Sequence, residues 1–226
     1  MMENDETERR DLYYITLLRH GESTGNAGGY LQGQADFPLS DTGREQAEAL
    51  AARWLAEGVI FDRIVSSPLS RARETAEIIA GRLGSAGDPE EIPIEFDPVW
   101  MERDWGLISG LHHEEAEERY PRPDFIPTYQ PIGVSGESQW ELYLRAGRGI
   151  QALMDKPAGR YLVVSHGGIL NVAMYAILGI VPQANFHGAR FRFRNTAFAK
   201  LVYDRSQHKW LVEGLNDCAH WDLRDG

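Results

Sequence analysis

Tyr14-Ile15-Thr16-Leu17-Leu18-Arg19-His20-Gly21-Glu22 carries an apolar run straight into a guanidinium, an imidazole and a glycine. The run reads as a buried strand, Tyr13 to Arg19, whose end opens into a loop. A fixed positive charge beside a histidine at such an edge suits a dianionic group held against a nucleophile. Taken alone, Arg-His-Gly is a common match, and a lone histidine is more often structural. Tyr161-Leu162-Val163-Val164-Ser165-His166-Gly167-Gly168, however, repeats the pattern of apolar strand, histidine and glycine. Two strand ends therefore carry the same chemistry.

Working outward, strands alternate with helix-like stretches. Asp62 to Ser66 reads as a second strand. Before it lies a helix from Thr42 to about Glu57, capped by Ser40 or Asp41, with Ala47, Leu50, Ala51, Trp54 and Leu55 at helical spacing and Gly58 at its end. Ser70 to Leu83 reads as the next helix, followed by a Gly84–Pro89 loop, a short strand Pro93 to Phe96 and a short acidic helix Leu111 to Tyr120. Pro121 to Gly136, rich in proline and glycine, reads as a long loop or cap. Glu137 to Met154 returns to helical spacing, Tyr161 to Ser165 is the best central strand, and Gly167 to Leu178 makes a further helix. Phe198 to Tyr203 and Trp210 to Leu215 close the chain as a strand pair. This alternation predicts an α/β sandwich with a mainly parallel sheet, whose ligands bind at the carboxyl ends of the strands, where both histidines sit. No internal repeat, low-complexity tract or interdomain linker breaks the pattern. One domain over 1–226 is expected, with 1–12 as an N-terminal extension.

With 226 residues, 42% of them hydrophobic, the chain is long enough for a substantial core. Its apolar stretches are too short to span a bilayer, and the acidic N-terminus is unlike a signal sequence, so a cytoplasmic protein with no membrane partner is expected. The net charge of −11 and the dispersed arginines argue against a nucleic-acid surface. A few converging arginines still suffice for a phosphate. The single cysteine, Cys218, excludes an intramolecular disulfide and reads as a small buried hydrophobe.

A third element is Val65-Ser66-Ser67-Pro68-Leu69-Ser70-Arg71-Ala72, where a strand ends and proline leads into a helix. Arg71 lies in the first helical turn, where the helix dipole disfavours a cation and a phosphate clamp explains one. Arg73 faces elsewhere, toward solvent or a salt bridge.

Leu18-Arg19-His20-Gly21-Glu22-Ser23 with Asn26, Ser66-Ser67-Pro68-Leu69-Ser70-Arg71-Ala72 and Ser165-His166-Gly167-Gly168, in this order, resemble the histidine phosphatase superfamily of cofactor-dependent phosphoglycerate mutases and related phosphatases. The resemblance runs from about Ile15 to His220. It implies a phosphoglycerate mutase-like three-layer α/β/α sandwich, no metal or cofactor, and a phosphohistidine intermediate on His20. It also implies a phosphate pocket of Arg19, Arg71 and His166, with Asn26 nearby.

The chemistry agrees. An uncharged imidazole attacks phosphorus in line while arginines and a second histidine neutralise the oxygens, and an acid protonates the leaving alkoxide. Glu102, in Trp100-Met101-Glu102-Arg103-Asp104-Trp105-Gly106, is the candidate acid, in an aromatic setting expected to favour its protonated form; Asp104 is its competitor. Ser23, Gln32 and Arg103 resemble family positions that contact phosphate or the rest of the substrate, and Gly167 offers a backbone N–H at a helix start. Glu22 is expected to hold an arginine or the loop, and Asn195 and Thr196 to brace the catalytic loop. His112 and His113 receive no role; His187, His208 and His220 show no metal-ligand spacing. Trp100, Trp105, Phe125, Tyr129 and Trp140 are candidates for an apolar wall. The Ser-Ser-Pro-Leu-Ser-Arg-Ala segment looks like the phosphatase branch, whereas Glu102-Arg103 followed by Trp105-Gly106 is similar to the mutases. A phosphatase of small monoesters is the favoured reading, with a mutase as the alternative and a phosphoprotein phosphatase or an inactive phosphate-binding module behind it. A small phosphorylated substrate is the expected partner, and a homodimer is compatible with this reading.

Overall fold

The computed structural model describes residues 11–84 and 92–221. Its central sheet comprises β1 (Leu12–Arg19), β2 (Arg63–Ser66), β3 (Ile94–Phe96), β4 (Gly159–Ser165), β5 (Phe198–Asp204) and β6 (Lys209–Asp217), in the spatial order β3-β2-β4-β1-β5-β6. β1 to β4 run parallel, β5 pairs antiparallel with β1, and β6 antiparallel with β5, so the sheet is mixed and mostly parallel.

Alternation along the strands feeds two cores. β4 sends Tyr161 and Val163 to one face and Leu162 and Val164 to the other; β2 divides Val65 from Ile64 in the same way. A strand buried on both faces must be apolar at every position, which is why these segments read as continuous runs. Helices α2 (Asp41–Ala56) and α3 (Ser70–Gly84) cover one face through Leu50, Trp54, Ala76 and Ile79. On the other, α5 (Gln139–Met154) and α6 (Gly167–Leu178) pack with Leu142, Ala146, Leu170 and Ala173. The result is the three-layer α/β/α arrangement that the resemblance implied.

Local chemistry sets the helix starts. Ser40, not Asp41, caps α2 by accepting the Gly43 N–H. α5 begins at Gln139 instead of Glu137, because Ser138 and Glu141 form a reciprocal capping box that leaves Glu137 outside the helix. The short helices α1 (Thr24–Ala27) and α4 (His113–Arg119) lie in the connections. Neither α1 nor the 3-10 turns at Pro98–Trp100, Gly106–Ile108 and Ala184–Phe186 was legible, each being too short to show a period. Residues 121–136 hold neither helix nor strand, as expected. Most of the 1–12 extension and of the 84–89 loop lies outside the described residues. No helix among the described residues is long and apolar enough to cross a membrane.

The register of β1 on β4 sets Arg19 beside Ser165, and the His20 N–H donates to the Ser165 carbonyl at 2.9 Å. Both histidines thus leave the sheet side by side. β2 ends in step, its Ser66 beside Val164, so that α3 starts at the same edge.

The loop after β1 is pressed against the start of α2. A Cβ on Gly43 would meet the Glu22 carbonyl oxygen at 1.9 Å, and one on Gly21 would meet the Gly43 carbonyl at 2.4 Å. Gly43→Ala should therefore lower unfolding stability by about 1–3 kcal/mol in denaturant titration, since backbone cannot yield as a flexible side chain would. Helix propensity alone predicts the opposite sign, a gain of about 1 kcal/mol.

Candidate active site

His20 is 3% exposed and His166 is fully buried, with ring centroids 5.0 Å apart. His20 Nδ1 lies 2.6 Å from the Gly21 carbonyl, which can only accept, so Nδ1 carries the proton and Nε2 keeps its lone pair. His166 has the opposite tautomer. Its Nδ1 accepts from Arg71 Nε at 3.2 Å, leaving Nε2–H to donate to Ser67 Oγ at 2.7 Å. Burial, then the charges of Arg71 and Arg19, hold the His20 imidazole well below its ordinary range; burial and Arg71 do the same to His166. Both rings are neutral at neutral pH, the state a nucleophile needs.

Arg71, 1% exposed, donates Nη1 to the Ala35 carbonyl and Nη2 to that of Gly33, so part of its fork is already spent on the loop after α1. Burial lowers it to about 10, still fully charged at neutral pH. Arg19 donates Nη1 to the Phe193 carbonyl, while its buried Nε has no hydrogen-bond partner among the described residues and lies beside Gly167 at the start of α6. Arg73 is elsewhere, stacked over Phe96 at 4.3 Å.

The expected aromatic setting of Glu102 is replaced by a polar one. Its carboxylate accepts from the N–H groups of Gly168 (3.0 Å), Ile169 (3.1 Å) and Arg103 (2.8 Å), docked on the first turn of α6. Unpaired N–H groups and the positive end of a helix attract an anion more strongly than apolar rings do. A Cβ on Gly168 would meet Glu102 Oε1 at 2.4 Å, so that position admits no side chain while the carboxylate is docked. Trp100 instead lies in the core, its indole against Gly149 of α5. Glu102 is the leading acidic neighbour of Arg19, Arg71 and Arg103. Asp104, the competitor, closes a turn by accepting the Gly106 N–H.

The supporting residues divide. Ser23 caps α1 and donates to Gln32 Oε1 at 2.7 Å, so both are engaged with each other. Asn26 Oδ1 accepts from Ser23 and from Asn195 Nδ2, and Asn195 also donates to the His20 carbonyl. Thr196 donates its N–H toward the carbonyls of Arg19 and His20, completing the expected brace. Glu22 holds the loop by accepting from Ser40. His112 caps α4.

Arg103, Gly167 and Gly168 line a cleft of about 480 Å³ together with Gln139, Trp105, Tyr175, Phe186 and Phe191. Among the described residues, Arg103 Nη1 and Gln139 Nε2 are buried without hydrogen-bond partners. Of the five aromatics proposed as a wall, only Trp105 lines this cleft; Phe125 and Tyr129 are exposed, and Trp140 packs on Tyr143. Gln139, Tyr175, Phe186 and Phe191 went unrecognised, the last two because their segment shows no periodicity.

A family profile described as histidine phosphatase superfamily (branch 1) matches residues 15–217. The chain belongs to this family. Among histidine phosphatase relatives, a protein of Escherichia coli named probable phosphoglycerate mutase GpmB is 35% identical over 92% of this chain and 94% of its own. A putative alpha-ribazole-5'-P phosphatase from the same species has a similar structure, with TM-score 0.76 and 26% identity over 91% of this chain and 97% of that one. A mycobacterial glucosyl-3-phosphoglycerate phosphatase, solved with VO3, is similar at TM-score 0.70 and 25% identity, covering 90% and 98%.

The buried histidines make stability depend on pH. His20 and His166 are depressed below 6.5, and the half-buried His220, against Thr196, is lowered to about 4. The unfolded chain therefore binds more protons below pH 6.5, so stability is full above that value and falls as pH drops, by up to about 1.4 kcal/mol per pH unit for each histidine. Thermal unfolding between pH 7.5 and 5 should show a falling midpoint whose slope is reduced, His220 remaining, in a His20→Asn, His166→Asn double variant. A flat wild-type profile contradicts the assignment.

Proposed function

We propose that the chain is a metal-independent phosphatase that hydrolyses small phosphate monoesters through a phosphohistidine on His20. The observation that carries this reading is the fixed His20 tautomer: Nδ1–H is tied to the Gly21 carbonyl, and Nε2 is left as a lone pair between two buried cations. Nε2 attacks phosphorus as the ester P–O bond breaks. Arg19 and Arg71 neutralise the phosphoryl oxygens, His166 flanks them, and the unpartnered Arg19 Nε takes one as acceptor. Glu102 gives its proton to the leaving alkoxide. That proton enters with the substrate, bound as the phosphate monoanion, and passes through Glu102. Water then attacks the phosphohistidine, returns a proton to Glu102, and frees phosphate and His20.

The non-phosphate part of the substrate is assigned to the cleft, where Arg103 Nη1 and Gln139 Nε2 call for acceptor atoms and Trp105 and Phe186, with Arg103 over both rings, form part of the wall. Hydrolysis is favoured over isomerisation by the segment Ser66-Ser67-Pro68-Leu69-Ser70-Arg71-Ala72 and by the alpha-ribazole-5'-P phosphatase likeness. The GpmB relatives support the mutase reading.

Phosphate release from sugar phosphates, nucleotides, phosphoglycerates and an aryl phosphate, with a chelator present and isomerisation of 3-phosphoglycerate followed in parallel, separates the two. Chelator-resistant release without isomerisation is expected. Fast isomerisation with little release identifies a mutase, and loss of activity on chelation refutes the metal-free mechanism.

A further inference from the structure

We propose that Arg145 of α5 is the positioning residue that holds Glu102 for proton transfer, an inference that rests on Glu102 being the acid. Arg145 spends all five of its N–H groups. Nη1 donates to the carbonyls of Val99 (2.8 Å) and Met101 (2.6 Å), and Nη2 donates to the Glu102 carbonyl (3.0 Å) and Glu137 Oε2 (2.6 Å). Nε completes a two-point contact with Glu137 Oε1 at 2.7 Å. Three of the five acceptors are backbone oxygens of one short segment, the one that ends in Glu102.

Glu137 closes the device from the other side by accepting the Asp104 N–H at 3.0 Å. The chain is thus fastened immediately before and after the Glu102-Arg103 pair. Gln34 Nε2 adds a second donor to the Glu102 carbonyl, and Ser165 Oγ ties the Trp100 carbonyl to the end of β4. With the carboxylate docked on α6 and the main chain gripped by α5, Glu102 has little freedom to drift from the phosphoryl site.

An ion pair needs none of these carbonyl contacts. The Arg145 and Glu137 side chains are 15% and 17% exposed, so the pair is shielded, and a planar fork with five donors is the only side chain that reaches both the carboxylate and three carbonyls. Lysine keeps the charge and loses the fork.

The test compares an alkyl phosphate, which needs a proton on its leaving group, with an activated aryl phosphate, which barely does. Glu102→Gln should slow the alkyl ester by about 10²-fold and the aryl ester only slightly. Arg145→Lys and Arg145→Gln should show the same selectivity, with at least about a tenfold alkyl loss. Aryl turnover serves as the internal control for folding. Adding Arg145→Gln to Glu102→Gln should bring no further selective loss, because both act through one carboxyl. Equal losses on both esters in the Arg145 variants, or selective losses that multiply in the double variant, overturn the proposal; if Arg145→Gln gives no folded protein, Arg145→Lys decides. Absence of selectivity in Glu102→Gln removes the acid assignment itself, a different failure.

Discussion

The parallel pairing of β1 with β4 sets Arg19 beside Ser165, and every contact in the candidate site depends on that register. It makes His20 and His166 the first residues past two adjacent strand ends, their rings 5.0 Å apart. A slip of one residue would send each side chain to the opposite face and separate the histidines. Burial on both faces holds the strands in the sheet, Leu17 and Val163 in one core and Leu18 and Val164 in the other, while the ladders of β1 with β5 and of β2 with β4 flank the same pair.

Around this pair the site concentrates positive charge out of water. Arg19, Arg71 and Arg103 are all lowered by burial, and Glu102 is the carboxylate that offsets each of them. In the proposed reaction such a pocket receives an anion with its donors already fixed. The neutral histidines follow from the same environment, because two nearby guanidiniums and the lack of solvent both disfavour imidazolium. In the proposed reaction one arrangement thus serves both anion binding and nucleophilicity.

Much of this was legible because the strands are buried on both sides. Their apolar runs mark their own ends, so Arg19-His20-Gly21 and His166-Gly167-Gly168 point to the sheet edge, and α6 begins and ends at Gly167 and Leu178 as read. Ser40 and Asn195 signalled local roles through their residue type. Long-range polar contacts left no such mark. Arg145 meets the Glu102 segment only because α5 packs beneath it, and nothing near Arg145 in the chain announces five acceptors. The docking of Glu102 on α6 was hidden by its tryptophan neighbours, which suggested an apolar pocket until the fold turned Trp100 into the core. The cleft wall was misassigned for a related reason: aromatic residues carry no period in loops, so Phe186 and Phe191 were missed while the exposed Phe125 and Tyr129 were chosen.

The most direct measurement is to mix enzyme with a labelled monoester, quench in alkali during turnover, where phosphohistidine survives, and locate the phosphoryl group by peptide mass spectrometry and the ring nitrogen by phosphorus NMR. The fixed tautomer predicts label on His20 and on Nε2 alone. Label on His20 Nδ1, on another residue, or undiminished turnover in His20→Asn would contradict the account.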